Sequence, residues 1–274
     1  MRLSIITINR NNAQGLEKTM QSVVGQTDPD FEYIVVDGAS TDESVSVIRR
    51  FAEQRPIRWV SEPDKGIYNA MNKGIAMAEG EYVMILNSGD YLASPKVVGQ
   101  MGQALHAHAN PDILYGNMLK IWPDGKTYRD HQLREDYSLF DFYHGTLNPD
   151  GTYIRRSLFG QFGPFNESLK ICSDWEWMLK AVALGGTKPV HTDIDALYFD
   201  MTGVSEGGAR SRQTIRNERR QVLHQSLPAA VLDDYDRYGS DILIMRRLHR
   251  HPWAFKLVRL IERCLFKIEK IHSK

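Results

Sequence analysis

Three features of this 274-residue sequence predict an α/β fold, with a mostly parallel sheet and helices on both faces. Short apolar runs of strand length alternate with segments whose apolar residues recur at helical spacing. The runs near the N-terminus each stop at Asn, Asp or Gly, which break a strand into a loop. Beyond residue 206 the texture changes to a basic helical extension, 207–274.

The elements follow in order. Leu3–Ile8 is an apolar run ended by Asn9, Asn11 and Asn12, and reads as a buried strand and its loop. Leu16, Met20, Val23 and Val24 then mark one face of a helix. Tyr33–Val36 is a second strand, stopped by Asp37. Gly38-Ala39-Ser40-Thr41-Asp42 reads as a turn into a helix, with Ser40 or Thr41 as its cap. Ile57–Val60 is a third strand, Ile67–Glu79 a helix closed by Gly80, and Tyr82–Leu86 a fourth strand ending in Asn87-Ser88-Gly89-Asp90. In such sheets ligands bind outside the carboxyl ends of the strands, so Asn9, Asp37 and Asp90 are expected to converge there.

The second half, 111–206, is expected to differ from the nucleotide-binding half, 1–110. Ile113–Gly116 and Met118–Trp122 read as short strands, and Pro123-Asp124-Gly125 as a hairpin turn. Tyr153–Arg155 is another strand, Ser173–Leu184 a helix with Gly185 and Gly186 beyond it, and Leu197–Asp200 a last short strand before the glycine-rich Gly203–Gly208.

Composition removes several function classes. The formal net charge is zero, so no nucleic-acid partner is expected. Cys172 and Cys264 make neither a disulfide framework nor a CxxC zinc motif, and read as thiols in a reducing cytoplasm. No stretch reaches the ~18 apolar residues that would span a bilayer. The expected location is the cytoplasm, including the inner face of its membrane.

Three constellations can carry chemistry, and each has a plain structural alternative. Asp37 at a strand end can accept hydrogen bonds from a nucleobase or ribose, but a capped helix start explains the same residues. Asp90 can hold a divalent cation through oxygen, with a diphosphate completing the shell; an ordinary Asx turn is the alternative. Asp174, in Ser173-Asp174-Trp175-Glu176-Trp177, can be a general base or a helix cap.

The order and spacing of the segments resemble family 2 glycosyltransferases, inverting enzymes of the GT-A fold. The likeness is carried by Ser4–Asn9, Val35–Asp42, Ser61–Gly74, Leu86–Asp90, Phe165–Leu169 with Ser173-Asp174, and Phe199–Ser205, across roughly residues 1–206. Its nearest flavour is bacterial exopolysaccharide synthesis of the colanic-acid type. The resemblance implies a GT-A domain with a C-terminal helical extension. It also implies a nucleotide-sugar donor, usually a UDP-sugar, a glycan or polyprenyl-linked acceptor, and a divalent metal (Mn or Mg). Thr7 and Asn9 would line the nucleotide pocket, Asp37 would contact the base, and Asp64 and Lys65 would lie near the nucleotide. Asp90 would match the last acid of a DxD-like metal motif, and Asp174 the base of a Glu-Asp motif.

The chain departs from the pattern at three places. Asn87 and Gly89 leave Asp90 as the one acid of its motif, and Ser173 replaces the Glu before Asp174. Where relatives carry His-Gln, this chain reads Asn148-Pro149-Asp150-Gly151-Thr152-Tyr153, with His144 nearby. The helix N-terminus is expected to favour the ionised form of Asp174 and so to weaken it as a base.

Two other functions compete. A sugar nucleotidyltransferase would carry a glycine-rich loop after the first strand, whereas Asn9-Arg10-Asn11-Asn12 has no glycine until Gly15. A catalytically weak partner subunit is consistent with the reduced acidic motif. In the tail, Arg237 to Lys274 hold ten Lys/Arg and three acids. Trp253, Leu257, Leu260, Ile261, Cys264, Ile268 and Ile271 form one stripe, and Lys256, Arg259, Arg263, Lys267 and Lys270 another. This basic amphipathic helix is suited to an anionic membrane surface, to the catalytic domain or to a second subunit.

Overall fold

The computed structural model describes residues 3–130, 137–147, 149–202 and 208–272. The chain opens with β1 (Leu3–Asn9), α1 (Ala13–Val24), β2 (Phe31–Asp37), α2 (Ser44–Ala52), β3 (Arg58–Ser61), α3 (Ile67–Met77) and β4 (Tyr82–Ile85). There follow β5 (Tyr91–Leu92), α4 (Val97–Ala107), β6 (Ile113–Ile121), β7 (Thr127–Asp130), α5 (Leu139–His144), β8 (Tyr153–Arg155) and α6 (Ser157–Phe162). Then come α7 (Ser173–Met178), continued by a π-helical stretch Leu179–Leu184, and β9 (Pro189–Asp200). Three helices end the chain, α8 (Ala209–Ser226), α9 (Ala229–His249) and α10 (Pro252–His272).

The nine strands form one sheet in the order β3-β2-β1-β4-β8-β6-β9-β5, with β7 paired on β6. β3, β2, β1 and β4 run parallel, while β8 joins β4 and β6 antiparallel. Every residue of β1 and β2 is buried, as expected of parallel strands covered on both faces. On one face Leu16 and Met20 of α1 pack with Leu3, Ile5 and Tyr33. On the other, α3 comes so close that a Cβ on Gly74 would lie 2.4 Å from Ile6 Cγ2. Glycine there costs the helix about 1 kcal/mol of propensity relative to alanine, and the close approach is what it allows.

Several expectations change. The two short strands expected at 113–122 are one strand, β6, with an irregular register against β9 between Tyr115 and Met118. A Cβ on Gly116 would meet the Ile194 carbonyl at 2.5 Å, so glycine sits where the two backbones crowd. The hairpin turn leads back into β7, which the polar Thr127–Asp130 had hidden. β9 is twelve residues long rather than four, because Pro189–Asp195 is only partly buried and carries no apolar run. Helix α4 had not been anticipated.

Neither Ser40 nor Thr41 caps α2: Ser40 is drawn to Asp37, and Asp42 Oδ1 accepts from Ser44 N at 3.0 Å. Asp174 does not cap α7 either, since the residue before the helix is Cys172 and Asp174 lies inside the first turn.

The chain separates into two compact units, Met1–Gln221 and Val222–Lys274. The first therefore extends past residue 206 and takes in most of α8. Within the second, α9 and α10 pack on each other. No helix among the described residues is long and apolar enough to cross a membrane.

Candidate active site

The parallel register fixes one wall of the site. It sets Asn9 beside Asp37 and Asp37 beside Ser61, in a row across the carboxyl ends of β1, β2 and β3. Asp37 is fully buried and its carboxylate is saturated. Oδ1 accepts from Asn9 Nδ2 at 2.8 Å and from the Ser40 hydroxyl; Oδ2 accepts from Ser40 N at 2.9 Å and Ser61 Oγ at 2.7 Å. Burial opposes the charge, but these bonds from Ser40, Ser61 and Asn9 outweigh it and hold the carboxyl below its ordinary range. The open acceptor of the row is instead Asn9 Oδ1, which is buried and has no partner. Thr7 is fully buried and accepts from Tyr33 OH at 3.0 Å. It lies two residues before Asn9, inside β1.

The loop after β3 closes this corner. The Asp64 carboxylate accepts from Gly66 N at 3.0 Å and lies 3.7 Å from Arg10 Nη1 of the loop after β1. It presses on the loop after β2 as well, since a Cβ on Gly38 would come 2.1 Å from Asp64 Oδ2. Lys65 is exposed at the rim, its backbone N–H bonded to Asn69 Oδ1.

Asp90 forms a second group at the end of β4. It is 4 % exposed. Its Oδ1 accepts from Asp200 N at 2.8 Å, which ties the end of β9 to the loop after β4. Thr19 of α1 holds the same loop, donating to Asp90 O at 2.6 Å and accepting from Gly89 N at 3.0 Å. Burial, with the Asp200 charge added, pushes the Asp90 carboxyl up to about 7, against the pull of the Asp200 N–H and Lys18.

Among the described residues no group of three His, Cys, Asp or Glu could hold a metal ion. Asp90 and the buried, partnerless Asn87 Oδ1 offer two oxygen donors three residues apart in the loop after β4. That set fits a hard divalent cation only if a ligand supplies the remaining oxygens.

The third group surrounds Asp174. Tyr68, at the start of α3, donates its hydroxyl to Asp174 Oδ1 at 2.9 Å and lies against Ile171 O. Trp175 N donates to the same carboxylate oxygen at 2.8 Å. Burial is nevertheless the largest influence and raises the Asp174 carboxyl, with Trp175 N–H, Tyr68 OH and the Arg219 charge pulling the other way. The expected weakening by the helix end is thus overturned: desolvation of the anion wins, and Asp174 is a stronger base than a surface carboxylate.

Asp150 joins these groups. It bridges to Ile85 at the end of β4, and its Oδ1 accepts from Asn87 Nδ2 at 3.0 Å. Burial and the charges of both Asp90 and Asp174 hold its proton on.

Comparison with known proteins fits this geometry. Residues 4–172 match the model for glycosyl transferase family 2. The chain belongs to glycosyltransferase family 2. Relatives include a glycosyltransferase of Nostoc, 35% identical over 90% of this chain and 80% of its own. A glycosyltransferase of Mycobacterium tuberculosis is 31% identical over 82% of this chain and 85% of its own. A PGL/p-HBAD biosynthesis glycosyltransferase of Mycobacterium bovis is 29% identical over 74% and 78%.

The GT-A fold recurs in S. aureus TarS bound to UDP-GlcNAc, with TM-score 0.67, 22% identity and coverage of 85% of this chain and 70% of that one. It recurs too in the mannosyltransferase PcManGT of Pyrobaculum calidifontis with GDP-Man and Mn2+, at TM-score 0.62, 18% identity and coverage of 93% and 72%.

In this glycosyltransferase, sequence reasoning singled out Asn9, Asp37, Asp90 and Asp174 but passed over Tyr68, Asp150, Glu218 and Arg219. Tyr68 lay inside a quoted segment as an ordinary helix residue. Asp150 was legible only as an acid replacing the Gln of relatives.

The raised Asp90 carboxyl gives a signed expectation. A folded-state pKa above the unfolded one contributes stability at low pH that is lost as pH rises from the ordinary carboxylate range through about 7. Asp90→Asn should therefore raise Tm at pH 8 by about 2 °C or more, with the gain shrinking toward pH 5. Calorimetric melting of both proteins without added ligand checks this, and a difference independent of pH contradicts it.

Proposed function

We propose that this glycosyltransferase moves a sugar from a UDP-sugar, with inversion, to a glycan or polyprenyl-linked acceptor in cell-surface polysaccharide synthesis. The observation that carries the reading is the pairing of a polar wall at three strand ends, with one unsatisfied acceptor at Asn9 Oδ1, and a carboxylate made more basic by burial at Asp174. TarS with UDP-GlcNAc and PcManGT with GDP-Man support a nucleoside diphosphate donor by analogy of fold.

In this account Asn9 Oδ1 accepts from the imide N–H of the base. Asp37 holds Asn9 and Ser40 in place, and Asp64 and Lys65 close the corner. A divalent cation, Mn2+ or Mg2+, would be held by Asp90 with Asn87 and the diphosphate, and supplies positive charge to the leaving group. Asp174 takes the proton of the acceptor hydroxyl. The freed oxygen attacks the anomeric carbon on the face opposite the diphosphate, the bond to the diphosphate oxygen breaks, and nucleoside diphosphate leaves. Tyr68 orients the carboxylate through its hydroxyl, so proximity is set before the acceptor arrives.

Helix α10 supports a place at the membrane. Trp253, Leu257, Leu260, Ile261, Leu265, Phe266 and Ile268 are all at least half exposed, an apolar surface beside Lys256, Arg259 and Arg263. Each basic side chain near an anionic bilayer contributes about 1 kcal/mol, and the aromatic and aliphatic face supplies the rest.

Two measurements test these assignments. Asp174→Asn keeps the shape and the Tyr68 contact but removes the base. Release of nucleoside diphosphate from a turned-over nucleotide sugar should fall at least ~10²-fold at unchanged donor affinity, and a near wild-type rate would exclude Asp174 as base. Separately, a chain ending at His251 should lose sedimentation with phosphatidylserine vesicles while retaining nucleotide binding. Equal sedimentation of both chains would remove the membrane role.

A further inference from the structure

Helix α8 lies beyond the family match at 4–172, yet two of its adjacent residues act on the segment that carries Asp174. Glu218 is buried and accepts three successive backbone N–H groups, Lys170 N at 2.7 Å on Oε1 and Ile171 N and Cys172 N, both at 3.0 Å, on Oε2. These residues lead directly into α7, and Ile171 also offers its carbonyl to Tyr68, whose hydroxyl holds Asp174. A carboxylate gathering three backbone donors is a strong, charge-assisted clamp.

Arg219, the next residue, lays its guanidinium over the Trp175 ring at 5.0 Å from the centroid. Its Nε is buried without a hydrogen-bond partner. Its charge favours the anionic forms of both Cys172 and Asp174.

We propose that Glu218 and Arg219 are positioning residues for the base: Glu218 fixes the backbone at 170–172, and through it Tyr68 and Asp174, while Arg219, laid over Trp175, keeps a cation against the segment that carries Asp174. This rests on Asp174 being the base. The charged and titratable groups that bear on Asp174 are Tyr68 from α3, Asp150 from the loop before β8, Cys172 from its own segment and Arg219 from α8. Arg219 is the one cation among them, and its charge draws Asp174 toward the anion. Burial raises the Asp174 carboxyl, and the guanidinium charge trims that effect.

The test reads Asp174 itself, so it holds whether or not sugar transfer is the reaction. The full-length protein is labelled with 13C at the aspartate carboxyls, the Asp174 signal is identified by its loss in Asp174→Asn, and its titration is followed in wild type, Arg219→Gln and Arg219→Lys. The expected result is a midpoint moved to higher pH in Arg219→Gln and returned toward wild type in Arg219→Lys. A midpoint unmoved in Arg219→Gln overturns the role of Arg219.

For Glu218→Gln, which puts an amide donor against backbone donors, amide exchange at 170–172 should accelerate at least ~10-fold. Nucleoside diphosphate release should fall in kcat with KM for the donor unchanged. Protected amides and full kcat in the folded variant overturn the role of Glu218. If that variant does not fold, Glu218→Asp, which keeps the charge but withdraws it by one methylene, is read in the same way.

Discussion

The register between three parallel strands is the constraint on which the site depends. Because Asn9, Asp37 and Ser61 fall at matched positions of β1, β2 and β3, one buried carboxylate can knit three strand ends. An Asp in that position is costly to bury, and hydrogen bonds from Asn9, Ser40 and Ser61 offset the cost. The same bonds leave the Asn9 carbonyl oxygen facing no protein donor. The wall has one unmet hydrogen bond to offer. A slip of one residue in either pairing would turn these side chains to the other face of the sheet.

Opposite electrostatic solutions operate a few residues away. At Asp37 hydrogen bonds defeat burial. At Asp90, Asp150 and Asp174 burial defeats the bonds available, and the charges of Asp90 and Asp174 add to the effect at Asp150. Such a group costs stability at neutral pH in the free protein. In the proposed reaction Asp90 would meet a cation and Asp174 would take a proton. The separation of roles follows from partners: Asp90 is tied to the end of β9 through Asp200 N, and Asp174 to α3 through Tyr68.

Much of this was legible in the sequence, and the reasons are specific. The apolar runs of β1, β2 and β4 are continuous because those strands are covered on both faces, and each gives way to a polar residue at its carboxyl end. The long β9 was cut short because half of its residues are polar and half-exposed. The saturation of the Asp37 carboxylate cannot be read from a strand end, nor can the unpartnered oxygen of its neighbour Asn9. The direction of the Asp174 shift was missed for the same reason, since a helix terminus is visible in sequence and desolvation is not. Glu218 and Arg219 were assigned to a tail at 207–274 because they act from 44 and 45 residues downstream of the acid they influence, a separation that no local pattern reveals.

The central claim is that Asp37 organises a nucleotide-binding wall from three strand ends. Isothermal titration of wild type and folded Asp37→Ala with UDP and with GDP, in the presence of Mn2+, tests it most directly. The account predicts that the wild type binds at least one of these nucleotides, and that Asp37→Ala weakens that binding at least ~10-fold, the scale of about 1.4 kcal/mol set by a buried polar network losing its acceptor. Equal affinity in the two proteins, or no nucleotide binding by the wild type, would contradict it.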